Sequence, residues 1–369
     1  GVPASGDEPV VRARGGVELA VPEKEFPKLK PHPFRQPEAP GVRAGGVVES
    51  RLSYAELCVT SNYTFLTGAS HPEEFVIQGA ALGYRALALT DTHTLAGVVR
   101  AHVAAKEAGV RFVLGSRLRL TDMPGCGILV YPTGMGSYRR LCRLLTVGKR
   151  RAPKGECRLG FDDLARYAQG LLAIVAVEGE LTEGFEGDVR RVHELFDDDR
   201  LSLAACFAYR SDDAEHAARL RGLAARTGVP LVATNDARYH HPDRRMLHDV
   251  LACIRHRCTL SQAGFRLEAN GERHLKAPEE MHRLFAGFPG AIARTLEIVE
   301  RTGGFNLDQL RYEYPDEVVP PGRSAQEYLS ELAWAGAERH YAGQVPAKVR
   351  TQIEHELGLI EELGYAPYS

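Results

Sequence analysis

The sequence predicts an α/β protein whose strands close, or nearly close, into a barrel. Short apolar runs bounded by glycine or polar residues recur up to about residue 235, and they are typical of buried strands. Helical segments separate most of these runs, and the alternation is typical of parallel β-α-β units. Seven such units favour a barrel over an open sheet. The predicted strands are 57–60, 87–90, 112–115, 128–131, 171–175, 203–207 and 231–234.

Helices are predicted between several of these strands. One of them begins at Pro72, in a first turn where the missing N–H of proline removes no hydrogen bond. The helices predicted in this part of the chain are 72–82, 95–108, 137–147, 211–227 and 243–256.

The pattern changes after about residue 275, where we predict a domain boundary and a mainly helical segment over 276–369. Proline-marked connections separate its helices, and the chain stops just after one of them, so we expect a truncated fragment. The helices predicted in this segment are 278–285, 292–301, 325–341 and 346–363.

Residues 1–50 are rich in proline and glycine and have little apolar periodicity. Such a stretch cannot bury enough apolar surface to fold alone. We therefore expect a leader that is mostly disordered or draped on the surface. The domain map predicted from the sequence is this leader, a barrel domain over 51–275, and the helical segment over 276–369.

Composition sets broad limits on function. Apolar residues make up 44% of the chain and charged residues 25%, as in ordinary globular proteins. The net charge of −2 gives no overall attraction to nucleic acid, so any such contact has to be local. The seven cysteines are scattered without a Cys-x-x-Cys pair, a pattern typical of reduced cytosolic thiols.

One acidic residue stands at the end of a predicted strand. The run 86–90 is apolar up to Thr90, Asp91 follows it, and a helix is predicted from residue 95. In α/β barrels the loops at the carboxyl ends of strands converge on one mouth and carry the chemistry. Asp91 is therefore a metal ligand or a base under one interpretation, and a helix N-cap under the other.

Four segments together resemble a known family. They are 54–74, 89–102, 232–240 and 249–255, and they are similar to motifs of the bacterial C-family DNA polymerases. The strings at 61–72 (Ser-Asn-Tyr-Thr-Phe-Leu-Thr-Gly-Ala-Ser-His-Pro) and 95–102 (Leu-Ala-Gly-Val-Val-Arg-Ala-His) resemble the error-prone branch most. This branch comprises damage-tolerant relatives of the replicative DNA polymerase III alpha subunit. The resemblance covers about residues 51–369.

The resemblance implies a layout. The family begins with a polymerase-and-histidinol-phosphatase (PHP) domain, a distorted seven-stranded β/α barrel, and the polymerase palm follows. The run 353–368 resembles the stretch that leads into the palm. The palm's catalytic aspartates are therefore expected beyond Ser369, so this chain should have no catalytic residue or cofactor of its own. The parent would be a cytoplasmic DNA polymerase in damage repair and lesion bypass, with Mg²⁺ as its cofactor.

The same resemblance implies partners. The full-length parent would bind DNA, accessory proteins of the damage-tolerance polymerase and the sliding clamp, and no membrane. No apolar run approaches the roughly 18 residues that a membrane span needs.

Active PHP domains hold several divalent metals with histidine, aspartate, glutamate and cysteine ligands at strand ends, and this cluster hydrolyses phosphoesters. Carried over onto this chain, most ligand positions have been replaced. Two aspartates remain, and two arginines stand where ligands are expected. The positions that match the family's metal site are Cys58, Thr60, Asp91, Thr92, Arg117, Asp236 and Arg238.

Two carboxylates do not make a multi-metal centre, and arginines neutralise carboxylates without a metal. We therefore expect no metal here, and instead an ion pair between Asp91 and Arg238 or between Asp236 and Arg117. A degenerate single-metal site that uses His240 or His241 is one alternative. Simple capping or solvation of the aspartates is another.

A basic cluster lies further along the chain. Its members are predicted to stand in a loop, where they are candidates for a phosphate or DNA contact; a solvated surface is the alternative. The cluster consists of Lys149, Arg150, Arg151 and Lys154.

Three functions remain open from the sequence. The first is the N-terminal scaffold part of an error-prone DNA polymerase with a degenerate barrel site. The second is a metal-dependent phosphoesterase or 3'-5' exonuclease built on the same barrel, which intact ligand motifs would favour. The third is a pure interaction module.

Overall fold

The computed structural model describes residues 10–12, 18–20, 52–179, 181, 184–311 and 319–368. In the first part of the chain, Val10–Arg12 pairs antiparallel with Glu18–Ala20. The predicted leader over 1–50 otherwise lies outside the described residues. Contacts within the chain group Gly1–Val47 and Val48–Ser369 as two separate units, and the following concerns the second.

Eight strand segments make two sheets in this unit. In the first sheet β1, β2 and β3 run parallel. In the second, β6, β7 and β8 run parallel to one another, and β5 lies antiparallel between β4 and β6. The strands are β1 Ala55–Glu56, β2 Ala86–Leu89, β3 Arg111–Leu114, β4 Ser116–Arg119, β5 Cys126–Pro132, β6 Leu171–Val177, β7 Leu201–Ala205 and β8 Leu231–Ala233.

Two bridges join these sheets into a closed barrel. The chain bends at Gly115, so that β3 pairs with β2 while β4 continues to β5, and Thr92 bridges to Arg117 across the bend. A side chain at Gly115 would lie 2.9 Å from the ring of Tyr131, which explains the glycine. On the other side Val59 bridges to Ala237 and joins the first strand to the last.

The mixed α/β fold predicted from the alternation is confirmed, but the expectation of parallel pairing throughout is wrong at β5. Only residues 120–125 connect β4 to β5, and they contain no helix. A parallel return needs a crossover of a dozen or more residues, so this short turn makes β5 run antiparallel. The extra segment β4 was not predicted from the sequence.

Helices surround the barrel and continue after it. Nine of them match predicted helices within a few residues, whereas α4, α5 and α8 were not predicted. The helices are α1 Pro72–Ala81, α2 Val98–Ala108, α3 Met135–Arg150, α4 Phe161–Tyr167, α5 Gly184–Leu195, α6 Asp213–Thr227, α7 Arg245–His256, α8 Leu260–Ala263, α9 Pro278–Leu284, α10 Pro289–Arg301, α11 Ala325–His340 and α12 Ala347–Leu363, with short 3-10 turns at Pro242–Arg244, Gly264–Arg266, Leu307–Gln309 and Ala366–Tyr368.

Alternate residues of the strands form two apolar layers, as strand geometry requires. The layer with Ala88, Leu129 and Ile174 also takes up Ile298 and Val299 from α10. The other layer packs under the surrounding helices. Helix α10 therefore contributes to the core of the barrel strands, although it lies beyond residue 275. The boundary predicted near that residue remains a prediction.

A buried glutamate ties the first strand to the last. The Glu56 carboxylate accepts hydrogen bonds from Tyr54 Oη (2.8 Å), Cys58 N (2.9 Å), Thr234 Oγ1 (2.6 Å) and Asn235 N (2.8 Å). Burial raises the pKa of Glu56 above its usual value, and the opposing effect of these four donors is smaller. The bonds from Thr234 and Asn235 fix the loop after β8 against β1, and this loop carries Asp236.

Within the described ranges, every helix is too short or too polar to serve as a membrane span.

Candidate functional site

Residues that follow β1 and β8 meet Arg117 of β4 at the mouth of the barrel. The Asp236 carboxylate lies 2.5 Å from Arg117 Nη2 and accepts a hydrogen bond from the Cys58 thiol at 3.1 Å. Arg117 Nη2 also donates to Cys58 Sγ at 2.9 Å. The Arg117–Asp236 ion pair is the second of the two expected from the sequence.

Two more arginines surround Asp236. Arg273 Nη1 donates to its second oxygen at 3.0 Å, and Arg238 Nη2 lies 3.6 Å from that oxygen. Burial alone would raise the pKa of Asp236, but the charges of Arg117, Arg273 and Arg238 outweigh it and hold this pKa far below its usual range. Asp236 is therefore an anion whose charge is already neutralised by the protein.

Two glutamates complete the ion-pair network. One Glu178 oxygen accepts a hydrogen bond from Arg117 Nη1 at 3.0 Å, and the other accepts one from Arg119 Nε at 2.7 Å. Glu268 receives Arg238 Nη1 at 2.8 Å and lies 3.6 Å from Arg273 Nε. Burial raises the pKa of Glu268, but the arginines outweigh this and lower it overall. The network thus alternates arginine and carboxylate around the mouth.

Asp91 lies in a different environment, and its predicted pairing with Arg238 is wrong. It is 1% exposed, and its carboxylate accepts from Ser61 N (2.8 Å), Ser61 Oγ (2.6 Å) and Thr64 Oγ1 (2.7 Å). Burial raises the pKa of Asp91 above its usual value, and the opposing effect of these hydrogen bonds is smaller. Two hydroxyls and a backbone N–H occupy its oxygens, so Asp91 holds the 61–64 loop against the barrel.

The remaining aligned positions do not extend the cluster. Thr60 bonds through its backbone N–H to Ala237 O, and Thr92 N donates to Thr64 Oγ1. His93, one place after the expected histidine, accepts from the backbone N–H of Arg119 at 2.9 Å.

The two histidines considered for a single-metal site are engaged elsewhere. His240 shares a hydrogen bond with Ser70 Oγ at 2.8 Å, and burial lowers its pKa to about 4. His241 lies 3.2 Å from Asp243. Neither ring is bonded to the cluster around Asp236.

The residues at the mouth do not fit the metals that active PHP domains hold. Burial raises the pKa of Cys58 well above that of a free thiol, which disfavours the thiolate that a metal would need. Both oxygens of Asp236 are taken by guanidinium groups. Over the part of the chain that the structure describes, no three histidine, cysteine or acidic side chains are placed to hold an ion.

A cavity of about 360 Å³ opens beside this network. Five arginines and three carboxylates line it, together with His216, Cys58 and Cys206. The lining arginines are Arg117, Arg119, Arg210, Arg238 and Arg273.

Several residues of the site were missed in the sequence. Glu178 directly follows β6, so the rule that placed Asp91 at a strand end could have found it. Arg273 and Glu268 stand in the 264–275 connection, where no periodic signal marks them. Glu56 was hidden because an acidic residue inside a strand is normally interpreted as solvent-exposed.

The predicted basic cluster is divided between a helix and a turn. Lys149 and Arg150 form the last turn of α3, where positive charge complements the helix dipole. Arg151 pairs with Asp163 at 2.6 Å, whereas Lys154 is exposed. The loop expected from 149 onwards therefore starts only after Arg150.

Replacing Asp236 by asparagine should destabilise the fold at pH 7 by about 3 kcal/mol, because the buried Arg117 would lose one of its two carboxylate partners and Arg273 would lose its hydrogen bond to Asp236. The pKa of Asp236 is lowered on folding, so its contribution is present above the ordinary value of 3.8 and is lost as the pH falls below it. Asp236→Asn should therefore flatten the loss of stability as the pH falls from about 4 towards about 2. Urea denaturation across this range measures both effects.

Asp198→Asn is the matched control. Asp198 shares the left-handed backbone of Asp236, with φ of 52° against 45°, but is exposed. Equal stability losses in the two variants would contradict the role given to the arginines. So would an Asp236→Asn variant that loses stability at low pH as steeply as the unchanged chain.

Comparison with known proteins agrees with this fold. The sequence model of the PHP domain family matches residues 56–205 of this chain. An error-prone DNA polymerase of Caulobacter vibrioides is 47% identical over 315 residues, which are 85% of this chain and 29% of that protein. Error-prone DNA polymerase 1 of Agrobacterium fabrum is 45% identical over 316 residues, 85% of this chain and 28% of that protein.

Among solved structures, an amidohydrolase of Chromobacterium violaceum is similar with a TM-score of 0.40 and 15% identity, over 50% of this chain and 88% of that one. The chain spans less than a third of the length of the curated relatives named above. The chain thus contains a PHP domain, and over 85% of its length it is similar to the N-terminal PHP region of error-prone DNA polymerases.

Proposed function

We propose that this chain is the N-terminal scaffold part of an error-prone DNA polymerase that acts in DNA damage tolerance and lesion bypass. The observation that carries the scaffold role is the Asp236 carboxylate, which is enclosed by Arg117, Arg273 and Arg238 where active relatives bind metal. A fixed ion-pair network contributes stability and shape rather than hydrolysis.

The alternative of a metal-dependent phosphoesterase or exonuclease meets an electrostatic obstacle. A divalent ion at Asp236 would have to displace guanidinium groups whose charge is fixed at any working pH. Asp91, the other surviving aspartate, bonds to Ser61 and Thr64 instead. The third alternative, an interaction module, overlaps with the scaffold role.

The polymerase chemistry is proposed for the parent protein. Its palm carboxylates would hold Mg²⁺ at the primer terminus, and this metal would supply the charge stabilisation for nucleotidyl transfer. DNA, accessory proteins of the damage-tolerance polymerase and the sliding clamp are the proposed partners, with the cytoplasm as the proposed location. The proposed domain map keeps 51–275 as the barrel and 276–369 as the segment that leads into the palm.

The exposed end of α3 is the proposed DNA contact. Lys149 and Arg150 lie at the helix end with Lys154 in the turn that follows. Of the four predicted residues, Arg151 is paired with Asp163, which partly balances its charge and weakens its attraction to a phosphate.

The barrel should be hydrolytically silent. The purified chain should hold fewer than two divalent metals by elemental analysis and should not cleave a phosphodiester with Mn²⁺ or Zn²⁺. Arg238→His alone should not restore cleavage, since Arg117 remains at Asp236. Two or more tightly bound metals, together with hydrolysis abolished by Asp91→Ala, would overturn the scaffold role.

The chain should not extend a primer, even with template, nucleotides and Mg²⁺, because the palm carboxylates are expected outside it. The full-length parent should extend the same primer and tolerate mispaired ends. Template-directed extension by the pure chain would refute this part of the proposal.

The α3 contact predicts a change in salt dependence. The logarithm of the DNA association constant falls linearly with the logarithm of the salt concentration. Replacing Lys149 and Arg150 by glutamine should reduce the magnitude of this slope by roughly 1 to 2. Fluorescence anisotropy at several salt concentrations measures it. The control replaces Arg221 and Arg266, two arginines on other elements; an equal effect there would assign the binding to general charge.

A further inference from the structure

Two cysteines occupy neighbouring positions at the carboxyl-terminal end of α7. This helix ends in a Schellman turn, in which Cys258 N donates to Cys253 O at 3.0 Å and Arg257 N donates to Ile254 O at 3.2 Å. Arg257 has the left-handed backbone that this turn needs, with φ of 51°. The side chains of the first and last residues of such a turn commonly contact each other. Here both of these residues are cysteines, and both are free thiols.

The spacing of the two backbones suits a disulfide. Because Cys258 N and Cys253 O are 3.0 Å apart, standard bond lengths place the two Cα atoms within about 7 Å of each other. Disulfide-linked cysteines have Cα atoms roughly 4.4 to 6.8 Å apart. The thiols also influence each other, since burial raises the pKa of Cys253 and the neighbouring Cys258 thiol raises it further. The two sulfur atoms can therefore be joined without unfolding the end of the helix.

A surface groove gives small molecules access to both thiols. Its volume is about 430 Å³, and Cys253, Arg257 and Cys258 line it beside the apolar side chains of Ile254 and Leu260. Cys258 is half-buried, whereas Cys253 is only 6% exposed. Partly exposed thiols beside positive charge react most readily, because the thiolate is the nucleophile. Cys258, which directly follows Arg257, is therefore the thiol that reacts first.

We infer that Cys253 and Cys258 are a modification site, a dithiol that hydroperoxides oxidise to a disulfide and that small thiols reduce again. This inference goes beyond the proposed scaffold function and does not depend on polymerase activity. It concerns a surface of α7 that is separate from the ion-pair network around Asp236.

The oxidation takes two steps. The Cys258 thiolate attacks one peroxide oxygen, the O–O bond breaks, and the leaving oxygen takes up the proton that the thiol released; the products are a sulfenic acid and an alcohol, or water from hydrogen peroxide. The Cys253 sulfur then attacks the sulfenic sulfur, so that the S–S bond forms and the S–OH oxygen leaves as water with the second thiol proton. The two thiols lose two electrons, and the peroxide gains them.

Trypsin gives this disulfide a specific signature. Arg255 and Arg257 lie between the two cysteines, so the reduced chain yields separate peptides 246–255 and 258–266, each with one cysteine. The 369-residue chain is treated with increasing hydrogen peroxide until any cysteine is oxidised. Remaining thiols are blocked with N-ethylmaleimide, and the digest is analysed by mass spectrometry without reductant. The two peptides should appear linked to each other, and dithiothreitol added before the blocking step should separate them.

Single substitutions distinguish the roles of the two thiols. Cys258→Ser should abolish the linked peptide and leave Cys253 free for N-ethylmaleimide. Cys253→Ser should also abolish it, but Cys258 should then persist as a sulfenic acid that dimedone labels.

Cys142→Ser is the matched control. Cys142 is half-buried, as Cys258 is, but it lies within α3 beside Tyr138 rather than at a helix end. Its replacement should leave the yield of the linked peptide unchanged.

The linked peptide in the unsubstituted chain decides the inference even if a variant fails to fold. Its absence at a peroxide dose that already oxidises other cysteines would overturn the inference. An equal yield of either cysteine linked to a third one, or loss of the linked peptide in Cys142→Ser, would also overturn it. Dimedone labelling of Cys253 in Cys258→Ser, without labelling of Cys258 in Cys253→Ser, would overturn the order of the two steps.

Discussion

The mouth of the barrel depends on one interaction, the neutralisation of a largely enclosed carboxylate by three guanidinium groups. Asp236 would be expensive to bury alone, and Arg117 equally so. Each stabilises the other, and Glu178 and Glu268 accept further hydrogen bonds from Arg117 and Arg238. The result is a salt-bridge network where related domains place metals.

The network requires contributions from distant parts of the chain. Asp236 follows β8, Arg117 lies in β4, and Arg273 comes from the connection after α8. The bend at Gly115 lets one stretch of chain serve both sheets, so that Arg117 lies beside Thr92 and faces Asp236. Charge balance and barrel closure are thus two aspects of one arrangement.

The sequence was sufficient for the α/β barrel, since strand runs and helix stripes are local signals. It also allowed the Arg117–Asp236 pair. It could not assign Asp91 its partners, because Ser61 and Thr64 reach it only through the fold. Arg273 and Glu268 lie in an irregular connection, and the direction of β5 depends on the length of one turn.

The hydrogen bonds by which Glu56 joins the first strand to the last affect how the chain folds during synthesis. The hydrogen bond between Glu56 and Thr234 joins residues 178 positions apart, and the barrel has no closed form until both ends are present. At ribosomal rates of about 5–20 residues per second, roughly 10–35 s separate the emergence of these two residues. During that interval one edge of β1 lacks its partner and Glu56 lacks the bonds from Thr234 and Asn235, so nascent barrels are exposed to aggregation and to chaperones.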